Sequence, residues 1–148
     1  MNNLLSKITP TLLIVLMIVF SLVGFSDALF LFIKKIAGGP IPCFIGTGCD
    51  TVTNSPYSKI FGISLSLYGI AFYLLIGGCT LLYLDTKKMF FARLFLPITA
   101  LGFLMSVYFM YVQKFLIGAF CMYCVISAIV STILFVLGIA SRYVIRTS

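Results

Sequence analysis

Four runs of almost uninterrupted apolar residues, Thr11–Ile33, Ile60–Leu84, Leu94–Val112 and Phe120–Ala140, alternate with polar stretches along the chain. Each approaches the roughly 20 residues that carry an α-helix across about 30 Å of hydrocarbon at about 1.5 Å per residue. The pattern predicts an all-α membrane protein: a bundle of four transmembrane helices at about 11–33, 60–84, 94–112 and 120–140. The first run is too long for a signal-peptide core. Lys34-Lys35 follow it directly instead of a small-residue cleavage site, so it is expected to remain as helix 1. No internal repeat or low-complexity stretch divides residues 1–148, which read as one membrane domain.

The connections are unequal. Asp85–Arg93 and Gln113–Ala119 are short, as between antiparallel neighbours in a bundle. Lys34–Lys59 is long, rich in Gly and Pro around Gly38-Gly39-Pro40-Ile41-Pro42 and polar through Thr47–Thr51. It is expected to fold over one end of the bundle.

Composition agrees with the pattern. At 62% hydrophobic and 9% charged residues, the chain lies far outside the soluble average of roughly 45–50% apolar and about 25% charged. The net charge of +7 raises nucleic acid as a partner, but the basic residues are scattered singly or in twos around the spans and form no stripe. Membrane lipid is the partner they fit, since Lys and Arg flank helices to set orientation and meet anionic headgroups. Lys7, Lys87, Lys88, Arg93, Arg142 and Arg146 on one side outnumber Lys34, Lys35, Lys59 and Lys114 on the other. The excess is expected to put both termini in the cytoplasm and the long loop on the outer side of a multi-pass membrane protein.

The candidate chemistry lies in two cysteine pairs, Cys43/Cys49 in the long loop and Cys121/Cys124 in a CxxC that opens the last helix. In the stated orientation both face outward, where disulfides persist. Cys121 and Cys124 share one helix face within disulfide range. They lie in the first turn, where unpaired amides and the helix dipole favour a thiolate. A lone CxxC carries little weight, since five cysteines in 148 positions produce one by chance on the order of one time in eight. The loop pair, flanking a flexible Phe44–Gly48 segment, raises its significance. A purely structural loop disulfide stays open as an alternative. Zinc fits poorly, because the chain has no His and the x5 spacing is loose. Cys79, deep in helix 2 without a near partner, reads as a packing residue.

The run from Cys43 through Cys49-Asp50-Thr51-Val52-Thr53-Asn54-Ser55-Pro56-Tyr57 to Leu67-Tyr68-Gly69, followed by the helix-4 CxxC, resembles the signature of the vitamin K epoxide reductase family. The resemblance covers about residues 20–130, including Asp27–Leu31. It implies a four-helix bundle that holds a quinone, ubiquinone or menaquinone, near its outer end. By position, Cys43 matches the cysteine that meets a thioredoxin-like partner, Cys49 the one that bonds to Cys121, and Cys124 the one that reacts with quinone. Ser55 matches a serine near that site, Tyr57 an aromatic that caps it, and Phe72 and Tyr73 aromatics that line it; packing or interfacial roles for these three aromatics stay open.

Departures from the family pattern narrow the expectation. Leu65 and Ala128 stand where animal members carry an Asn and a Tyr to hold the quinone carbonyls, so epoxide reduction is not expected. Ser64 replaces a common proline at the start of helix 2. No thioredoxin-like domain follows helix 4, so the expected partner is a separate periplasmic, DsbA-type protein. Pro40-Ile41-Pro42 is expected to present an extended segment to that partner's groove.

The function expected on this basis is a quinone-dependent thiol-disulfide oxidoreductase that reoxidises the partner. Two rivals remain: a four-helix proton- or cation-coupled transporter using Asp27, and a non-enzymatic assembly protein. Asp27 lies roughly 10 Å below the outer end of helix 1 and is costly there unless neutral or paired. It is expected either to anchor the loop or to relay a proton at the quinone site.

Overall fold

The computed structural model describes residues 2–147, with side chains described for residues 9–146. In chain order the elements are α1 (Asn2–Ala37), a short α2 (Cys49–Thr53), the two strands β1 (Lys59–Ile60) and β2 (Ile63–Ser64), then α3 (Leu65–Thr86), α4 (Met89–Tyr111) and α5 (Met122–Thr147). Four segments, Thr9–Ala37, Leu65–Thr86, Met89–Ile117 and Met122–Arg146, are long and apolar enough to cross a membrane, as the hydropathy pattern predicts. Helices α1 and α4 each pack on both α3 and α5, which closes the bundle into a ring. Lys7, counted above in the charge balance, has a side chain outside the described residues.

Helix ends differ from the apolar runs wherever hydrogen bonding and polarity part company. Helix α1 extends through Lys34 and Lys35, whose charges complement the negative end of its dipole. Helices α3 and α4 are joined by Lys87-Lys88 alone, not by the whole of 85–93; Lys87 adopts a left-handed conformation and its N–H bonds to the Tyr83 carbonyl at 2.9 Å. Residues 59–64 form an antiparallel hairpin that pairs Lys59 with Ser64 and Ile60 with Ile63, where the apolar run suggested helix from residue 60. At its tip Phe61 and Gly62 have φ of 53° and 78°, the conformation of a two-residue hairpin turn and one that no α-helix accommodates. Helix α4 continues past Tyr111 as a π-helical turn, Val112–Ile117, before α5 begins.

The core has two parts. Met17, Ile76, Phe95 and Leu134 fill the middle of the bundle together with Cys79, which packs there as expected. A second cluster at the loop end contains Leu31, Ile41, Cys49, Val52 and Cys121, so the loop is sealed onto the helices by its own cysteine region. Leu22, Leu74, Leu101, Leu104 and Val136 are about half exposed or more on the outside of the helices, a surface suited to lipid.

Polar ties fasten the loop. Lys35 Nζ donates to the Thr53 carbonyl at 3.1 Å and to Ser58 Oγ at 2.9 Å. Asp50 Oδ1 accepts the Ile41 N–H at 2.9 Å, and the Tyr123 hydroxyl donates to the Pro42 carbonyl at 3.0 Å.

Candidate active site

Cys43 and Cys49 are joined in a disulfide with Cα atoms 5.9 Å apart, while Cys121 and Cys124 are free thiols. Cys49 opens α2, which packs its buried side, Cys49, Val52 and Thr53, down onto the bundle. Cys49 and Cys121 are both fully buried and share one cluster; Cys43 packs at its edge and stays partly exposed. The sulfurs are thus graded from solvent to interior.

This meeting depends on two residues outside the expected set. Gly48 lies so close to the Phe120 backbone that an added Cβ would meet the Phe120 amide nitrogen at 2.9 Å and its carbonyl oxygen closer still. Only glycine lets the loop descend far enough to bring Cys49 to Cys121. Gln113, 2% exposed in the π-helical turn, uses Oε1 to accept the Cys121 N–H at 2.9 Å, satisfying an amide at the start of α5. The legible signal was a lone glutamine ending an apolar run within eight residues of the CxxC. Such turns are inserted where a helix must re-aim a side chain, often at functional sites.

Cys121 precedes the membrane-spanning part of α5, and its ionisation follows from its neighbours. The Cys124 thiol donates a hydrogen bond to the Cys121 sulfur, and backbone amides of Cys124 and Tyr123 add to it. Together they bring Cys121 down to about 7 from an ordinary 9.0, against the opposing effect of burial. A titration of ultraviolet thiolate absorbance on the reduced protein is expected to show a midpoint near pH 7, moving upward in Cys124→Ala. Exchange at Cys121 then accelerates as pH rises through 7. With its folded value below the unfolded one, Cys121 also stabilises the reduced protein at alkaline pH, and that contribution is lost as pH falls through 7.

Beneath the loop lies a cavity of about 390 Å³, the size of a small-ligand pocket. Asp27, Ser55, Tyr57, Phe72, Tyr73 and Cys124 line it; Cys43, Cys49 and Cys121 do not. The spacing of the CxxC therefore splits its two sulfurs between surroundings, Cys121 toward the loop and Cys124 toward the cavity. Leu65 and Ala128 also face the cavity and bring no side-chain hydrogen-bond donors to it.

The expected residues differ in how their polar atoms are engaged. Tyr73 bonds through its hydroxyl to Ser127 Oγ at 2.7 Å and to the Ser127 carbonyl at 3.1 Å, and its ring meets that of Phe72 at 5.0 Å. Ser55 donates to the Val52 carbonyl at 2.7 Å, turning its hydroxyl into the loop. Tyr57 is 43% exposed at the mouth. Asp27 Oδ2 is buried and has no hydrogen-bond partner. A walled apolar space with aromatic faces, a thiol at one side and an unsatisfied carboxyl at another fits a quinone head group.

The extended segment before Cys43 is less available than its composition suggests. Ile41 is buried, its N–H is held by Asp50, and the Pro42 carbonyl is held by Tyr123. Apolar surface beside Cys43 comes instead from Phe44 and Ile45, 83% and 76% exposed. Among the described residues no cluster of His, Cys, Asp or Glu has the makings of a metal site.

Comparison with known proteins adds two findings. The profile of the vitamin K epoxide reductase family matches residues 15–139. The Arabidopsis thaliana protein named thiol-disulfide oxidoreductase LTO1 is 33% identical over 122 residues, which cover 76% of this chain and 32% of that protein. The chain therefore spans about a third of the length of this relative.

Proposed function

As this chain belongs to the vitamin K epoxide reductase family, we propose that it is a membrane thiol-disulfide oxidoreductase that reoxidises a thioredoxin-like, DsbA-type protein and passes the electrons to a membrane quinone. One observation carries the reading: the cysteines form a continuous series, with Cys43 bonded to Cys49, Cys49 packed with Cys121, Cys121 hydrogen-bonded by Cys124, and Cys124 open to the cavity. Its loop side faces the periplasm of the cell inner membrane and its termini the cytoplasm, the arrangement in which an oxidised loop pair persists.

In the first step a thiolate of the reduced partner attacks Cys43, breaking Cys43–Cys49 and forming a mixed disulfide. The partner's second thiolate releases Cys43, leaving both loop cysteines reduced. With the CxxC oxidised, Cys49 attacks Cys121 and expels Cys124 as a thiolate at the cavity wall. Cys43 then attacks Cys49, restoring the loop disulfide and leaving the electron pair on Cys121 and Cys124. Closure of Cys121–Cys124 gives up that pair. A bound quinone supplies the sink, accepting two electrons and two protons to become hydroquinone.

Phe72 and Tyr73 would hold such a ring against their aromatic surfaces, Tyr57 would cover the mouth and Ser55 would border it. Ubiquinone and menaquinone both suit an apolar wall of this kind. The absence of donors at Leu65 and Ala128 argues against an epoxide substrate. Phe44 and Ile45 offer the partner an apolar footing beside Cys43.

Purified protein given a reduced thioredoxin-fold protein and quinone is expected to form hydroquinone. In Cys49→Ala the free Cys43 thiolate can attack the disulfide of oxidised partner, breaking that bond and forming a mixed disulfide that no loop thiol resolves. Oxidised partner incubated with that variant should therefore be recovered attached to Cys43 as a reducible adduct, absent when Cys43 is also removed. Hydroquinone formation that persists in Cys49→Ala, or no formation by wild type, would overturn the reading; the latter is what a protein with a merely structural loop disulfide would give.

A further inference from the structure

The electron series leaves one proton unaccounted for. Hydroquinone needs two, and of the CxxC pair only Cys124 opens on the cavity, so the pair presents a single proton there. A second acid must stand at the cavity. The chain has three acidic residues. Asp50 is outside the cavity lining with Oδ1 on the Ile41 amide, and Asp85 lies near the opposite end of α3; Asp27 alone of the three is in the wall.

The other titratable groups facing the cavity are Lys35 from α1, Tyr57 from the loop, Tyr68 and Tyr73 from α3, and Cys124 from α5. Lys35 is held by the Thr53 carbonyl and Ser58. Tyr68 donates to the Ile60 carbonyl at 3.2 Å and Tyr73 is engaged by Ser127. Tyr57 sits at the open mouth. Asp27 differs, since its Oδ2 is buried with no partner. An ionised carboxylate with an oxygen so placed would be uncompensated, so the resting group holds its proton.

We propose that Asp27 is the proton donor to the bound quinone, delivering the second proton as the Cys121–Cys124 disulfide closes. This deepens the proposed function and rests on it. Starting from the Cys121 thiolate, the Cys124 thiol, protonated Asp27 and quinone, the step yields the Cys121–Cys124 disulfide, hydroquinone and the Asp27 carboxylate. The dithiol is oxidised by two electrons and the quinone reduced by two. One proton comes from Cys124 and one from Asp27, and one negative charge stands on each side. The two protons released when the partner dithiol is oxidised return one to Cys124 and one to Asp27, so the cycle closes without net uptake.

The test compares Asp27→Asn, similar in shape but unable to give up a proton, with Asp27→Glu. In Asp27→Asn the hydroquinone turnover number should fall about 10²-fold or more while KM for quinone changes little, and Asp27→Glu should recover most of the loss. Infrared spectra of quinone-free wild type at neutral pH should contain a protonated-carboxyl carbonyl band that disappears in Asp27→Asn. Exchange between reduced partner and the Cys43–Cys49 disulfide should be unchanged, which shows the variant to be folded. Wild-type turnover in Asp27→Asn across pH 5–8, or absence of the infrared band, would overturn the proposal while leaving the cysteine series intact. Failure of wild type to reduce quinone would remove the reading on which it rests.

Discussion

Replacing Cys124 with alanine should abolish quinone reduction, by roughly 10³-fold or more, because it removes the one sulfur of the series that opens on the cavity. The same variant should collect a Cys49–Cys121 disulfide. Cys121 remains packed with Cys49 of the oxidised loop pair, so its thiolate can attack Cys49 and expel Cys43, with no outside oxidant required. Peptide mapping after acid quench and alkylation should find Cys43 newly labelled and Cys49 joined to Cys121. Loss of the Cys124 hydrogen bond also raises the Cys121 ionisation point, so the trapped species should accumulate faster at alkaline than at neutral pH. Mapping that returns only Cys43–Cys49 with Cys121 free, during turnover with reduced partner, would count against the series.

Gly48→Val should produce the second large effect, and by geometry alone. The added Cβ would run into the Phe120 backbone, which cannot swing aside as a flexible side chain would, so the loop must lift. Displacement of about 1 Å at a reacting pair costs on the order of 10²-fold in rate, and exchange between Cys49 and Cys121 should slow at least that much. The Cys43–Cys49 disulfide closes within the loop itself and should still react with reduced partner. Stopped-flow measurement of the two exchanges should therefore show loss of the inner step with the outer one retained. Equal loss of both would mean that Gly48 serves general loop folding and not this contact.

The bundle was legible because a membrane span has a strong and simple signature, and four apolar runs of spanning length leave few other folds open. The cysteine pairs were legible because their residue type and spacing are rare enough to be noticed in so apolar a chain. The cavity brings together Asp27, Ser55, Tyr57, Phe72, Tyr73 and Cys124, residues from the loop and three helices that only a family resemblance could associate beforehand. Features set by local backbone geometry escaped. Ile60-Phe61-Gly62-Ile63 reads as the start of a helix by hydropathy, yet the positive φ of two consecutive residues makes it a turn. Gln113 reads as a solvated connector because it is polar, although the π-helical turn directs it inward to the Cys121 amide. Gly48 looked like a source of flexibility; its importance is the space it leaves for Phe120.

The central claim is the order of sulfur contacts, from Cys43 through Cys49 and Cys121 to Cys124. Rapid mixing of the fully oxidised protein with reduced thioredoxin-fold partner and quinone, followed by acid quench at graded times and mapping of every disulfide, tests it most directly. The account predicts a partner–Cys43 adduct first, a Cys49–Cys121 bond next, and hydroquinone appearing no faster than that bond decays. Hydroquinone formed while Cys43–Cys49 stays oxidised throughout, or formed before any Cys49–Cys121 bond, would contradict it.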